Sequence, residues 1–317
     1  MLGVARGYGY EQVDPPLAEF ADELSARLKA GGLRDAVRFV DPVSQRTLAI
    51  RPDLTAQVGR IAATRMGHHP RPVRLSYAGP VLKLSASELD PLRSMRQIGC
   101  ELIGLDTVAA ATEVVQVAIE ALQAAGVTGL SVDFTLPDLV DTLAADAPDL
   151  ELLRERLDAK DAGGVAALDS RYLPLIEAAG PFDTAMARLR AIDSGALSSR
   201  LDGLAKIAAA IAGQAALTLD PTERHGFEYQ SWLGFSLFAS GVRGEIGRGG
   251  SYTIIHGDGR EEAAVGFSLY ADPILDAGLG DSERRRLFLP FGTPSGLGAR
   301  LREEGWATVS ALEEDDT

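Results

Sequence analysis

The sequence of 317 residues contains a single cysteine, Cys100, and only four histidines. One cysteine excludes an intramolecular disulfide framework and leaves no cysteine cluster for a structural zinc ion. His68, His69, His225 and His256 lack the spacing of metal ligands, and no Gly-x-Ser-x-Gly motif for a serine nucleophile is present. The sequence therefore predicts no metal and no cofactor, and a reducing, cytoplasmic location is expected.

Long apolar runs and an excess of basic residues are also missing. No stretch approaches the roughly 18 apolar residues of a membrane-spanning helix, and the amino terminus lacks the basic-then-apolar pattern of a secretory signal. The 45 Asp and Glu residues outnumber the 31 Lys and Arg residues, for a formal net charge of −14. Nucleic-acid-binding proteins usually present a basic face, so this balance disfavours a tRNA partner without excluding one. No membrane contact is expected.

The order of the predicted elements indicates an α+β fold. Apolar spacing predicts helices over 17–33, 55–66, 112–125 and 296–304. Predicted strands cover 37–40, 47–50, 73–84, 95–105, 130–136, 227–240, 263–272, 287–289 and 306–312. Strands that follow one another with few helices between them are typical of an antiparallel sheet flanked by helices, and strict βαβ alternation is absent.

Residues 137–220 interrupt this pattern. They are alanine-rich, acidic and predicted to be helical, with breaks at Pro148, Gly163-Gly164, Gly180-Pro181 and Gly195. We expect a helical insertion between two parts of one sheet. The predicted organisation is thus one domain over 1–276 that contains the insertion, and a small C-terminal segment over 277–317.

Polar residues near the predicted strand ends are candidate site residues. Pro52 suits the first turn of a helix, and Asp53 beside it could place a carboxylate at the mouth of the sheet. The alternative is that Asp53 and Thr55 only satisfy the exposed amides of the first helical turn. Gln97 and Glu101 are four residues apart in one strand and therefore share a face. An amide and a carboxylate on one face suit the recognition of an ammonium group. An ordinary solvated face is the alternative.

A glycine-rich segment, Gly247-Arg248-Gly249-Gly250-Ser251-Tyr252, lies between two predicted strands. Such a segment could cradle a phosphate, but it lacks both the spacing and the lysine of a P-loop. Taken alone, it predicts a bulge or a turn at a sheet edge.

Six segments of the sequence occur in one recognisable order. They are Gly9-Tyr10-Glu11-Gln12-Val13-Asp14-Pro15-Pro16, Arg51-Pro52-Asp53-Leu54-Thr55, Tyr77-Ala78-Gly79-Pro80-Val81-Leu82, Gln97-Ile98-Gly99-Cys100-Glu101, Gly249-Gly250-Ser251-Tyr252 and Ala264-Val265-Gly266-Phe267-Ser268. As an ordered set they resemble the catalytic domain of histidyl-tRNA synthetase, a class II aminoacyl-tRNA synthetase. They are most similar to the synthetase-like regulatory subunits of ATP phosphoribosyltransferase. The resemblance covers residues 7–136 and 224–276, on either side of the predicted insertion.

Several positions depart from the synthetase pattern. The arginine and glutamate that follow the Gly-Pro strand are Lys83 and Ser85 here, and the arginine that ends the third class motif is Pro273. The histidine-specific arginine is His225, and the Gly-Gly-Arg-Tyr-Asp segment is Gly-Gly-Ser-Tyr-Thr at 249–253. Adenylation requires positively charged side chains that bind the triphosphate, and these positions have lost them. The resemblance therefore implies a chain that does not activate an amino acid.

The alternative is a divergent histidyl-tRNA synthetase catalytic fragment that activates histidine with ATP. It would need other arginines, such as Arg93, Arg96 or Arg248, in place of the missing ones. A second alternative is a stand-alone amino-acid-binding or tRNA-related module with another ligand.

The positions that face the amino acid are better retained. By resemblance, the histidine-binding residues are Asp53, Thr55, Gln97 and Glu101 around the α-amino group, with Tyr229 and Tyr252 around the imidazole or carboxylate. The usual glutamate of the family is Asp53 here, one methylene shorter. Weak binding, or an allosteric histidine at a subunit interface, therefore stays an alternative.

The resemblance implies a non-catalytic regulatory subunit of ATP phosphoribosyltransferase, the first enzyme of histidine biosynthesis. The implied partner is the short-form catalytic subunit, the implied allosteric ligand is histidine, and the implied assembly is a homodimer within a hetero-oligomer. Relatives have a helix before the position of Gly7 that contributes to the dimer interface, and because the chain begins close to Gly7, we expect that part of the interface to differ. The 41 residues after position 276 are too few for an anticodon-binding domain, which takes about 100 residues.

Overall fold

The computed structural model describes residues 1–22, 36–84, 93–147, 149–224, 230–280 and 285–316. The chain divides into two units, Met1–Leu279 and Gly280–Thr317. Among the described residues, no helix is both long and apolar enough to span a bilayer. The domain boundary at 276 and the assignment of 137–220 as an insertion stay predictions.

Strands and helices have the following bounds. The strands are β1 (Glu11–Gln12), β2 (Ala18–Phe20), β3 (Arg38–Val40), β4 (Thr47–Ile50), β5 (Val73–Leu82), β6 (Ser94–Ile103), β7 (Leu130–Thr135), β8 (Gly180–Pro181), β9 (Ala216–Leu219), β10 (Gln230–Ala239), β11 (Gly247–Ile255), β12 (Glu261–Tyr270), β13 (Arg286–Leu289) and β14 (Ala307–Ser310). The helices are α1 (Leu2–Gly7), α2 (Thr55–Thr64), α3 (Val108–Gln123), α4 (Leu139–Leu143), α5 (Leu150–Asp158), α6 (Ala162–Asp169), α7 (Leu173–Glu177), α8 (Phe182–Ile192), α9 (Ser198–Ala210), α10 (Ala271–Asp276) and α11 (Ser295–Glu303).

The main sheet of the first unit has the strand order β1-β5-β6-β12-β11-β10-β7-β9-β8. From β5 to β7 all neighbours are antiparallel, which confirms the predicted α+β fold. The sheet is nevertheless mixed, because β1 pairs with β5 and β9 with β7 in parallel. β9 follows a helical excursion from the end of β7 and returns in the same direction, as a crossover connection does.

The segment 137–220 contains strands as well as helices. It contributes α4 to α9, and its strands β8 and β9 extend the edge of the main sheet. The expectation that this segment is helical was therefore wrong at Gly180–Pro181 and Ala216–Leu219. The backbone groups of Ser131 to Phe134 on β7 would otherwise be an open edge, and pairing with β9 satisfies them.

The predicted helix over 17–33 is wrong at its beginning. Ala18–Phe20 form β2, which pairs antiparallel with β4 in a second sheet of order β2-β4-β3. Residues 21 and 22 are helical, and 23–33 lie outside the described residues. Helical spacing is a weak local preference, and the ladder formed with β4 outweighs it.

Helix α3 covers one face of the main sheet, and α2 packs on the opposite face. Fully buried residues recur along α3 at helical spacing: Ala111, Val114, Val115, Ala118, Ile119 and Leu122. Leu54, Val58 and Ala62 form a second cluster with Tyr77 and Tyr252 on the α2 side. The sheet is thus buried on both faces, and polar side chains on the α2 face are shielded from water.

The N-cap of α3 yields a first prediction. Thr107 accepts a hydrogen bond from the backbone N–H of Ala110 at 3.3 Å, which explains why the helix begins before the predicted position 112. Thr107→Ala is expected to lower the free energy of unfolding by about 1 kcal/mol. Thr112→Ala on the same helix is the matched control, because its hydroxyl only bonds back to the Val108 carbonyl. Urea unfolding measures both, and an equal loss in the two variants would contradict the capping role.

The second unit is a short β-α-β segment. β13 and β14 pair in parallel, with Phe288 opposite Val309. Helix α11 connects them, and Arg302 on it donates to the Thr308 hydroxyl at 2.8 Å. The predicted strand, helix and strand of the tail are confirmed.

Candidate functional site

Polar side chains from four adjacent strands meet on the α2 face of the main sheet. Tyr77 lies on β5, Gln97 and Glu101 on β6, Ser268 on β12 and Tyr252 on β11. All are buried. Side chains alternate between the faces of a strand, so Gln97 and Glu101 share the α2 face as predicted. The alternative of a solvated face was wrong, because α2 covers it.

Gly99 makes room at the centre of this cluster. It is the register partner of Tyr77 on one side and of Ser268 on the other. A Cβ atom at Gly99 would collide with the hydroxyl of Tyr77 and the carbonyl of Phe267. The missing side chain therefore lets Tyr77 and Ser268 approach each other across β6, with their oxygens 3.1 Å apart.

Glu101 is the most deeply buried carboxylate of the cluster. Only 1% of its surface is exposed. Its Oε1 accepts a hydrogen bond from Tyr77 at 2.9 Å, and its Oε2 accepts one from Tyr252 at 2.7 Å. Burial raises the pKa of Glu101 to about 8, with a smaller contribution from Asp53, while the bonds from both tyrosines and Thr55 act in the opposite direction. The group therefore titrates near neutral pH.

Gln97 connects Asp53 to the rest of the cluster. Its Nε2 donates to Asp53 Oδ2 at 2.7 Å and to Ser268 Oγ at 2.6 Å, and its Oε1 accepts from the Leu54 N–H at 3.0 Å. The hydroxyls of Ser268 and Tyr77 share a hydrogen bond, and Tyr77 in turn bonds to Glu101. A chain of hydrogen bonds thus links Gln97 to Glu101.

Asp53 both accepts a hydrogen bond from the first turn of α2 and contributes a carboxylate to the cluster, the two roles expected for it. Its Oδ1 accepts from the N–H of Thr55 at 2.6 Å, at the start of α2, and its Oδ2 belongs to the cluster. Asp53 is half-buried, whereas Thr55, Gln97 and Glu101 are buried. A ligand that approaches from solvent therefore reaches Asp53 first.

Thr55 and Tyr252 also join the cluster, and two members were missed. The Thr55 hydroxyl is 3.4 Å from that of Tyr77, whose pKa burial raises well above its usual value. Tyr77 and Ser268 were not predicted as site residues, although both lie in segments of the family pattern and face Gly99 on the neighbouring strand. The predicted Tyr229, together with His225 and Ser85, lies outside the described residues.

The glycine-rich segment does not lie at a sheet edge. It forms β11, which is paired on both sides by β10 and β12. A Cβ atom at Gly249 would collide with the ring of its register partner Phe235. The expectation of an edge bulge or turn was therefore wrong, because these glycines allow close packing inside the sheet.

The arginines named as substitutes for the missing ATP-binding groups are placed as follows. Arg248 forms a bidentate ion pair with Glu245, with distances of 2.6 and 2.7 Å. Arg93 and Arg96 are exposed. Lys83 follows β5, where its N–H donates to the Arg93 carbonyl at 2.8 Å, and Pro273 lies in α10. The guanidinium of Arg248 is thus occupied by a carboxylate.

The profile of the histidyl-tRNA synthetase family matches residues 1–274. The chain is 44% identical over 318 residues to the ATP phosphoribosyltransferase regulatory subunit of Rhodospirillum centenum, covering 96% of this chain and 82% of that protein. It is also 42% identical over 325 residues to the protein of the same name from Paramagnetospirillum magneticum, covering 99% of this chain and 85% of that protein.

A solved structure carries the same fold. The ATP phosphoribosyltransferase regulatory subunit/histidyl-tRNA synthetase from Bacillus halodurans aligns with a TM-score of 0.77 at 22% identity, covering 99% of this chain and 88% of that chain. This likeness confirms the predicted class II synthetase-like fold. The chain therefore belongs to the histidyl-tRNA synthetase family and, within it, to the ATP phosphoribosyltransferase regulatory subunits.

Proposed function

We propose that this chain is the regulatory subunit of an ATP phosphoribosyltransferase in the cytoplasm. It binds the short-form catalytic subunit, supports its activity and conveys inhibition by histidine. The observation that carries this proposal is 44% identity over 96% of the chain with a relative of that name. The assembly contains a homodimer of this chain within a hetero-oligomer, and the chain performs no chemistry itself.

Histidine binds at the cluster around Asp53. Within the described part of the chain, the hydrogen-bond donors to Asp53 and Glu101 are a backbone amide, the Gln97 amide, two phenols and the Thr55 hydroxyl. Neither carboxylate is neutralised there by an ion pair with Lys or Arg. An arriving ammonium group supplies the missing positive charge and stabilises the ionised form of Glu101. Thr55, Gln97 and Tyr252 complete the described part of the site, and the family resemblance adds Tyr229 to it.

Inhibition follows if histidine binds one state of the assembly better than another. A ligand shifts such an equilibrium only by its difference in affinity for the two states. The hydrogen-bond chain from Gln97 to Glu101 spans β5, β6 and β12, so a ligand that reorders this chain acts on the centre of the sheet. The departures at Lys83 and Pro273 and the engaged Arg248 support the absence of amino-acid activation.

Formation of phosphoribosyl-ATP by the short catalytic subunit of the same organism tests the proposal. We expect this chain to raise the rate, and we expect histidine to inhibit only when the chain is present. Asp53→Asn is expected to shift the inhibition curve to roughly tenfold higher histidine, because a charged hydrogen-bond acceptor is lost. Light scattering reports the complex and its stoichiometry.

Two outcomes contradict the proposal. If the chain forms no complex and changes neither rate nor histidine sensitivity, it is a module with another partner. If it catalyses histidine-dependent exchange of pyrophosphate into ATP, it is a synthetase fragment. The exchange assay therefore runs beside the transferase assay on the same preparation.

A further inference from the structure

Arg51 is a buried cation whose guanidinium contacts main-chain carbonyls. It lies between β4 and the site residue Asp53, and 3% of its surface is exposed. Its guanidinium donates to main-chain carbonyls of three prolines: Nε to Pro80 at 2.8 Å, and Nη1 to Pro15 at 2.6 Å and Pro16 at 3.4 Å. Burial lowers the pKa of Arg51, and the nearby charges of Asp14, Glu19 and Asp53 oppose that shift. The side chain thus joins β5 to the segment before β2.

Space for this contact comes from Gly79. A Cβ atom there would collide with the guanidinium of Arg51. The backbone of Arg51 is fixed as well, because its N–H donates to the Leu17 carbonyl at 3.1 Å and its carbonyl accepts from the Leu82 N–H at 3.0 Å. Residue 51 is therefore held by both its main chain and its side chain.

A second side chain of the same segment holds Pro16 as well. Gln57 on α2 is fully buried, and its Nε2 donates to the Pro16 carbonyl at 2.8 Å. Arg51 and Gln57 flank Asp53 and Thr55 in sequence. The short stretch that carries two site residues is thus anchored to Pro15-Pro16 at both ends.

We propose that Arg51 is a positioning residue that sets the place of the Asp53 carboxylate and thereby the affinity for the ammonium group of histidine. This inference rests on the proposed function, because it concerns the same ligand. Only Pro52 separates Arg51 from Asp53, and its ring fixes one backbone angle, so a displacement of residue 51 carries over to residue 53. Arginine suits this role because its rigid fork donates in two directions, towards Pro80 and towards Pro15.

The test measures binding of two probes by calorimetry to the complete chain. One is L-histidine, and the other is 3-(imidazol-4-yl)propionate, which lacks only the α-amino group. In the unchanged chain we expect histidine to bind roughly 10- to 100-fold more tightly. Arg51→Met and Asp53→Asn are each expected to reduce the ratio of the histidine affinity to the propionate affinity to about threefold or less. Arg51→Lys, which keeps the charge but not the fork, is expected to give an intermediate ratio.

A double-mutant cycle separates positioning from general stability. Once Asp53→Asn is present, adding Arg51→Met should change histidine affinity by no more than about twofold, because the positioned group is already gone. Arg74→Met is the control. It removes an arginine as well, but this half-buried arginine lies on β5 and pairs with Glu113 on α3, so the ratio should stay unchanged.

The outcomes are distinguishable. An Arg51→Met protein that folds and keeps the wild-type ratio overturns the positioning role while the proposed function stands. If Arg51→Met does not fold, a wild-type ratio in Arg51→Lys overturns the role equally. If the unchanged chain itself does not discriminate between the probes, the histidine site is wrong, and the role of Arg51 falls with it.

Discussion

Replacing Glu101 by glutamine is expected to make the protein more stable above neutral pH, although it removes a carboxylate that accepts hydrogen bonds from Tyr77 and Tyr252. Burial raises the pKa of Glu101 to about 8 from an ordinary value of 4.5. The folded protein therefore resists ionisation of this group, whereas the unfolded chain ionises it freely. Glutamine has nearly the same shape and carries no charge to desolvate.

The sign of the effect follows from proton linkage. Below pH 4.5 the carboxyl is protonated in both states, and the variant gains nothing. Between pH 4.5 and about 8 the folded state keeps the Glu101 proton, whereas the unfolded chain has released it. The unfolding free energy of the unchanged protein therefore falls by about 1.4 kcal/mol per pH unit. Above pH 8 the loss levels off at a total on the order of 5 kcal/mol. Glu101→Gln is expected to remove this decline.

Chemical unfolding at a series of pH values from 5 to 9 measures the difference. Glu113→Gln is the control of opposite sign. Its carboxylate pairs with Arg74, and this pairing lowers its pKa, so its removal should decrease stability at neutral pH. Parallel pH curves for Glu101→Gln and the unchanged protein would show that Glu101 is not held neutral in the fold. Histidine titration of the same variant should show weakened inhibition.

Gly266→Ala is the second change with a large expected effect. Gly266 lies on β12 directly opposite Glu101, between β6 and β11. A Cβ atom there would collide with the Glu101 carboxylate and lie 2.7 Å from the Cys100 carbonyl. The carbonyl belongs to β6 and cannot move without opening the ladder. We expect the unfolding free energy to fall by about 3 kcal/mol or more. We also expect inhibition by histidine to be lost.

Thermal unfolding followed by circular dichroism measures the loss. Gly3→Ala in α1 is the control, because no atom lies within 4 Å of the added Cβ and the helix favours alanine. The pair Glu101→Ala with Gly266→Ala tests the cause: a smaller residue at 101 frees space, so the double variant should lose less than the sum of the singles. Strict additivity would refute the clash with Glu101.

Much of the fold follows from local patterns. Period-2 alternation and turn residues predicted the hairpin of β5 and β6 and the strands β10 and β12, because such patterns act within one segment. The helical spacing of α3 did the same. The resemblance placed Asp53, Thr55, Gln97, Glu101 and Tyr252 in one site, and the structure brings these five together. Their role in histidine binding stays a proposal.

The sequence by itself determined five polar side chains of the candidate site and the strand face that Gln97 and Glu101 share. Only the tertiary structure decided that Ala18–Phe20 form a strand, that β9 joins the sheet in parallel, and that the glycines of β11 serve packing. It also decided that Glu101 is desolvated and that Arg51 holds distant prolines. Burial and pairing depend on what other segments place against a residue, and no local pattern contains that information.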